Sequence, residues 1–132
     1  MAKAHFEAYI KPRRGKRIVV GRAVDIDIEV SVPKSHDDIA LEWEVGWIAS
    51  GEENNTRVVH KDSVAIDHLE AGVAEQYQVS FKVPQEGPVS YQGVLLEVRW
   101  YLEISLDIPW AFDPKAEFRF EVHPGRRKRT RE

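Results

Sequence analysis

Residues 11–17 contain five Lys and Arg residues, and the chemistry of this basic loop is that of anion binding. Guanidinium groups form paired hydrogen bonds to phosphate or carboxylate, and clustered charge attracts acidic ligands. The alternative is a solvated turn that neutralises an acidic body. Arg22 is a neighbouring cation, and Trp110, which follows Pro109, is a candidate aromatic anchor. We therefore expect partner binding by these residues: Lys11, Arg13, Arg14, Lys16, Arg17, Arg22 and Trp110.

Residues suited to catalysis or metal binding are present, but their spacing favours neither role. The five histidines form no His-x-His or His-x-x-x-His pair, which leaves the turn at 36–38 as the remaining metal candidate. Carboxylate pairs such as Asp25 and Asp27 have i, i+2 spacing, which places both on the wet face of a strand. No serine lies in a Gly-x-Ser-x-Gly turn. We predict a protein that is not an enzyme and has no cofactor or metal site.

The charge of the chain is unevenly distributed. The formal net charge is −3, yet the last seven residues hold Arg126, Arg127, Lys128, Arg129 and Arg131. The rest of the chain is therefore more acidic than the total indicates. We expect only this basic tail to make weak contacts with nucleic acid or an anionic membrane, and a solubilising tail is the alternative.

Composition restricts the class of protein. The absence of cysteine excludes disulfides and thiolate chemistry, and no apolar run approaches the ~20 residues of a membrane-spanning helix. We expect a cytoplasmic protein without a signal peptide or transmembrane segment. A chain of 132 residues suits one domain, predicted over residues 1–123, followed by a disordered basic tail over 124–132.

Alternation of apolar and polar residues is the strongest regular signal. Within 93–110, eight apolar side chains from Val94 to Ile108 occupy every second position. Five further segments alternate in the same way: 6–10, 24–32, 39–47, 77–83 and 118–122. Weaker strands are expected over 16–20 and 57–65, and one helical turn at most over 64–71. Gly and Pro separate these segments, so we predict an all-β, antiparallel two-sheet sandwich of about seven to nine strands.

Three tryptophans fall on the apolar phase of their strands. Trp43, Trp47 and Trp100 alternate with charged or polar neighbours. We therefore expect core packing for them rather than an exposed platform for carbohydrate.

The second half of the chain follows a longer pattern. A Leu and a Gly precede a strand that ends in the motif Phe-x-hydrophobic-Pro. After this strand comes the motif Pro-x-Ser-aromatic. A long strand then contains the motif hydrophobic-Arg-aromatic-x-hydrophobic. The matching residues are Leu69, Gly72, Phe81, Val83, Pro84, Pro88, Ser90, Tyr91, Val98, Arg99, Trp100 and Leu102. Residues 69–122 resemble the latter part of an arrestin-type domain. The first half, through Arg17, Val19, Gly21 and Val24, is compatible with the same family.

The resemblance implies an elongated sandwich and a non-catalytic, protein-binding adaptor or scaffold. Anionic or phosphorylated partners would then contact the basic loop. Family members that pair two sandwiches exceed the length of this chain, so a homo-oligomer is a further expectation. The alternative function is that of an immunoglobulin-like or carbohydrate-binding accessory sandwich.

Overall fold

The strands of the chain form two antiparallel sheets that pack face to face. The computed structural model describes residues 3–93, 95–109 and 113–125. The strands are β1 (His5–Pro12), β2 (Ala23–Ser31), β3 (His36–Ser50), β4 (Asn55–Leu69), β5 (Glu75–Lys82), β6 (Tyr91–Gln92), β7 (Glu97–Asp107) and β8 (Lys115–Phe120). The described residues contain no helix, and the predicted all-β sandwich is confirmed.

One sheet has three strands and the other has five. The smaller sheet has the order β1-β2-β5. The larger has the order β4-β3-β7, and both β6 and β8 pair with the remaining side of β7. Because β6 spans only two residues, the two short strands share the length of β7 between them.

The core lies between the sheets and follows the period of two. On β2, Val24, Ile26, Ile28 and Val30 are buried, while the residues between them are partly exposed. The fully buried residues of β7 face them from the larger sheet: Trp100, Leu102, Ile104 and Leu106. Alternate side chains of a strand point to opposite faces, so this pattern fixes which face of each sheet is covered.

The hairpin of β3 and β4 contains the two longest strands, with 15 residues each. The register shifts between Val45 and Gly46, which marks a β-bulge. On β4, His60 lies opposite Val45 and Asp62 lies opposite Trp43, so two positions of the inward phase carry polar side chains. β4 is also an edge strand of its sheet.

The single helical turn expected over 64–71 is wrong, because β4 continues to Leu69. Val64 and Ile66 pair with Leu41 and Ile39 of β3. These cross-strand apolar pairs favour the extended conformation of the segment.

The strand expected over 93–110 is shorter than its sequence pattern predicts. β7 begins only at Glu97, and just before it the Gly93 N–H donates to the Leu96 carbonyl at 2.9 Å. Leu96 was expected in the core but is 47% exposed, and Val94 lies outside the described residues. Tyr101 was expected on the wet face but is 5% exposed.

The burial of Tyr101 depends on a glycine of the neighbouring strand. Gly46 lies directly opposite, and a Cβ there would approach the Tyr101 Oη to 2.7 Å. The phenol O–H donates to the Glu44 carboxylate at 2.9 Å. Burial raises the pKa of Tyr101, and the nearby Glu44 carboxylate raises it further.

Candidate binding surface at the basic end of the sandwich

The basic loop joins β1 to β2 and is anchored on both sides. The Arg13 N–H donates to the Ala23 carbonyl at 3.2 Å. Beyond the loop, Ile18 is buried in the core, and its carbonyl accepts the His123 N–H at 2.8 Å. The weak strand expected over 16–20 is reduced to a single bridge between Val19 and His123. The loop residues between these anchors are exposed to solvent.

Two cations of the loop form ion pairs with β2. Lys11 Nζ lies 3.1 Å from Asp27 Oδ2. Arg13 donates to Asp25 through Nη2 at 2.9 Å and through Nε at 3.2 Å. The hydrogen bond and charge of Asp25 raise the pKa of Arg13. Lys11 and Arg13 therefore hold the base of the loop, and a ligand must compete with these two carboxylates for them.

The other four cations of the predicted site are differently placed. Arg14, Lys16, Arg17 and Arg22 are all exposed. Within the part of the chain that the structure describes, no carboxylate oxygen lies within 4.0 Å of their charged nitrogens. These side chains can meet an anion without first breaking an internal ion pair.

A tight turn places Arg22 at the same end of the sandwich as the loop. Gly21 has a φ of 79°, which an L side chain rarely adopts, and its N–H donates to the Val83 carbonyl at 2.8 Å. A Cβ at Gly21 would also meet Gln85 Oε1 at 2.0 Å. The Val83 N–H in turn donates to the Arg22 carbonyl at 3.0 Å, which fixes the backbone of this cation.

Two of the predicted binding features, Trp110 and the basic tail, belong to segments outside the described residues. β7 carries the chain away from the basic end, and beyond it the Ile108 N–H donates to Asp113 Oδ1 at 3.2 Å at the opposite end. Trp110 lies between these residues in sequence but outside the described residues, as does the tail over 126–132. The predicted roles of Trp110 and the tail, and the domain boundary at residue 123, stay predictions.

A histidine that no sequence motif marks is held between two carboxylates. His68 Nδ1 lies 2.5 Å from Asp37 Oδ1, and its Nε2 lies 2.7 Å from Glu70 Oε2. The hydrogen bond to Glu70, then that to Asp37, raises the pKa of His68, and His68 lowers the pKa of Glu70. The i, i+2 spacing of His68 and Glu70 was the available signal, but Asp37 is 31 residues away.

This histidine cluster has neither hydrolase nor metal-site geometry. The Ser35 hydroxyl donates to Glu70 at 3.2 Å and accepts the Ala71 N–H at 2.9 Å, while both nitrogens of His68 contact carboxylates. Among the residues that the structure describes, no group of three or more His, Asp or Glu side chains is arranged to hold a metal ion. The cluster therefore serves to tie the start of β3 to the end of β4.

The tryptophans expected in the core are placed there in two cases out of three. Trp43 is 3% exposed and Trp100 is fully buried, while Trp47 is partly buried against the same core. Trp43 and Trp100 therefore offer no exposed face that could stack on a sugar ring.

Comparison with known proteins relates the chain to a solved structure. No protein-family model matches the sequence, and no curated protein matches it. The crystal structure of Spo0M, a sporulation control protein from Bacillus subtilis, superimposes with a TM-score of 0.67 over 92% of this chain, at 16% sequence identity. The fold is arrestin-like. The resemblance noted in the sequence is thus confirmed at the level of the fold, and the chain spans half the length of Spo0M.

Among the described residues, no helix has the length and hydrophobicity needed to span a lipid bilayer.

Proposed function

We propose that the chain is a non-catalytic, protein-binding adaptor or scaffold module of arrestin-like type, which binds acidic or phosphorylated partners through its basic loop. The observation that carries this proposal is the group of four exposed cations, Arg14, Lys16, Arg17 and Arg22, which no described carboxylate neutralises by direct contact. Arginine at such positions suits planar, two-bond recognition of phosphate and carboxylate.

The anchoring of the loop supports binding rather than a purely solvated turn. Ile18 is buried, and the ion pair of Arg13 with Asp25 fixes the opposite side. A loop held on both sides loses less conformational freedom when a partner binds, so more of the contact energy appears as affinity.

A non-catalytic role is supported by the positions of the candidate catalytic groups. Asp25 and Asp27 are occupied by ion pairs with loop cations, and His68 contacts two carboxylates rather than a serine hydroxyl. These groups stabilise the fold where they lie.

A charge-matched comparison tests the binding role of the loop. One variant carries Arg14→Ser, Lys16→Ser and Arg17→Ser. The control carries serine at three exposed lysines elsewhere, Lys34, Lys61 and Lys115, and has the same net charge. A panel of acidic and phosphorylated peptides is titrated by fluorescence anisotropy at two salt concentrations, because exposed charge pairs are screened by salt.

We expect the loop variant to lose at least about tenfold in affinity, since several charge-assisted hydrogen bonds are removed together. The control variant keeps the affinity of the unmodified protein, and all three proteins unfold at nearly the same temperature. An equal loss of peptide affinity in both variants would show that net charge alone explains the effect. Unchanged peptide affinity in the loop variant would show that the loop is not part of the binding interface.

A second copy of the chain is the other partner we propose, through the edge of β5. Residues 76–80 of this edge strand are uncharged, and Tyr77 and Val79 are only half-buried. Such an edge can accept an identical strand and join two three-stranded sheets into one. Light scattering after size exclusion, repeated over a range of concentrations, distinguishes a dimer from a monomer.

A further inference from the structure

A groove of about 420 Å³ opens on the outer face of the larger sheet, where β6, β7 and β8 meet. It exists because β6 pairs with β7 only as far as Val98, and β8 begins its pairing at Trp100. Arg99 lies at this junction. Its neighbour Trp100 points into the core, so Arg99 points outward.

Two arginines line the groove and face it from adjacent strands. Arg119 of β8 lies opposite Tyr101, two residues from Arg99 on the same face of β7. In the described part of the chain, no carboxylate oxygen lies within 4.0 Å of either guanidinium group. The Nε of Arg99 is also buried and has no hydrogen-bond partner. A buried N–H without an acceptor is unfavourable, and a bound oxyanion would satisfy it.

The opposite wall of the groove is held in place by short hydrogen bonds. The Ser90 N–H donates to the Val122 carbonyl and the Val122 N–H donates to Ser90 Oγ, both at 2.8 Å. Because Ser90 Oγ accepts in this bond, its O–H is free to donate to a ligand. The Trp100 Nε1–H donates to the Pro88 carbonyl at 2.9 Å and fixes the segment that leads to Ser90.

Two acidic residues of the groove oppose the charge of any anion, so preference among anions depends on the number of hydrogen bonds that each can accept. Glu97 and Glu121 line its rim, and Glu121 Oε2 lies 3.5 Å from His123 Nε2. A carboxylate has only two acceptor oxygens to share between the donors of two arginines and a serine hydroxyl. A phosphate monoester carries about −1.5 to −2 at pH 7 and has three acceptor oxygens.

We propose that this groove binds a phosphate monoester between Arg99 and Arg119, with the Ser90 hydroxyl as a third donor. The arginines supply charge-assisted, paired hydrogen bonds, and the orphaned Nε of Arg99 acquires its acceptor. The site lies outside the basic loop and goes beyond the function proposed above, because it binds the phosphate group whether a peptide or a small molecule carries it.

Isothermal titration and the ¹⁵N-edited NMR signal of the Arg99 side chain test the site. The probes are inorganic phosphate, O-phosphoserine, a phosphoserine peptide with its unphosphorylated counterpart, and acetate. The variants are Arg99→Gln and Arg119→Gln, and the matched control is Arg57→Gln, an exposed arginine outside both the groove and the basic loop. Arg99→Lys keeps the charge but removes the paired donors, and it replaces Arg99→Gln if that variant fails to fold.

We expect O-phosphoserine to shift the Arg99 Nε–H signal, and each groove variant to weaken its binding at least about tenfold. The Arg57→Gln control binds O-phosphoserine as the unmodified protein does. Tighter binding of the phosphopeptide than of O-phosphoserine identifies a partner protein as the source of the phosphate, and equal binding identifies a small phosphate ester. An unmoved Arg99 signal, equal binding of acetate, or full affinity in the groove variants would overturn the site. Equal weakening by Arg57→Gln would overturn it too, because the loss would then follow from net charge alone.

Discussion

Replacement of Trp100 tests whether one side chain supports both the core and the proposed phosphate groove. The indole is fully buried, its ring centroid lies 6.0 Å from that of Phe120, and its N–H donates to the Pro88 carbonyl at 2.9 Å. Truncation of a buried Trp to Ala costs about 3–5 kcal/mol, and a carbonyl left without its donor costs about 1–3 kcal/mol more. Trp100→Ala is therefore expected to lower the free energy of unfolding by about 4–8 kcal/mol, a large share of a typical domain's stability.

Trp100→Phe separates the two contributions. It keeps an aromatic ring in the core but removes the donor to Pro88, so we expect a loss of about 1–3 kcal/mol. Trp47→Ala is the control, because Trp47 lies directly opposite Trp100 on β3 but is only partly buried. Urea unfolding at 25 °C, followed by far-ultraviolet circular dichroism, gives the free energy and the slope m for each variant.

The reasoning is refuted if Trp100→Ala costs less than Trp47→Ala at an unchanged m. It also fails if Trp100→Phe matches the unmodified protein in both stability and protection of the Val122 amide from hydrogen exchange. The second result would mean that the indole hydrogen bond does not hold the segment leading to Ser90.

Gly46→Ala should lower the free energy of unfolding by about 1–3 kcal/mol in the same urea assay, because the new Cβ would lie 2.4 Å from the Arg57 carbonyl oxygen; an unchanged value would contradict the close approach. The His68 cluster should make stability depend on pH. The pKa of His68 is raised above 6.5 in the folded state, so its contribution is complete below pH 6.5 and is lost as the pH rises through the folded value. The pKa of Glu70 is lowered below 4.5, so its contribution is present above pH 4.5 and is lost as the pH falls through the folded value. The stability difference between the unmodified protein and His68→Gln should be greatest between about pH 4.5 and 6.5; a difference that is constant from pH 4 to 9 would exclude the ion pairs with Asp37 and Glu70.

The sequence predicts a strand best where one face of the strand packs into the core and the other face contacts solvent. β2 is the central strand of its sheet, and its strict alternation from Val24 to Val30 matches its burial. Tyr101 breaks the same rule on β7. Its burial depends on a glycine and a carboxylate of β3, more than 50 residues away, and a local pattern contains no information about them.

The position of the basic loop could be predicted from the sequence, but the ion pairs of its cations could not. The basic loop is where the sequence places it, yet Lys11 and Arg13 are engaged with Asp27 and Asp25. The register of β1 on β2 places Lys11 opposite Asp25 and Tyr9 opposite Asp27, so Lys11 reaches diagonally to Asp27 and leaves Asp25 to Arg13. Charge counting treats all five cations alike, whereas the register decides which of them are free.

The arginine pair of the groove was beyond the reach of local motifs. Arg99 and Arg119 are 20 residues apart and belong to two strands whose pairing begins only at Trp100. Neither lies in a charge cluster, so sequence alone gave no reason to connect them.

The polar inward positions of β4 bear on how the chain behaves at high concentration. A 15-residue edge strand would ordinarily template fibrous aggregates. An incoming apolar strand would have to cover Asp62 and the imidazole of His60, and the bulge beside His60 breaks the regular ladder that a fibril requires. The longest edge strand that the structure describes is thereby protected from amyloid-like growth.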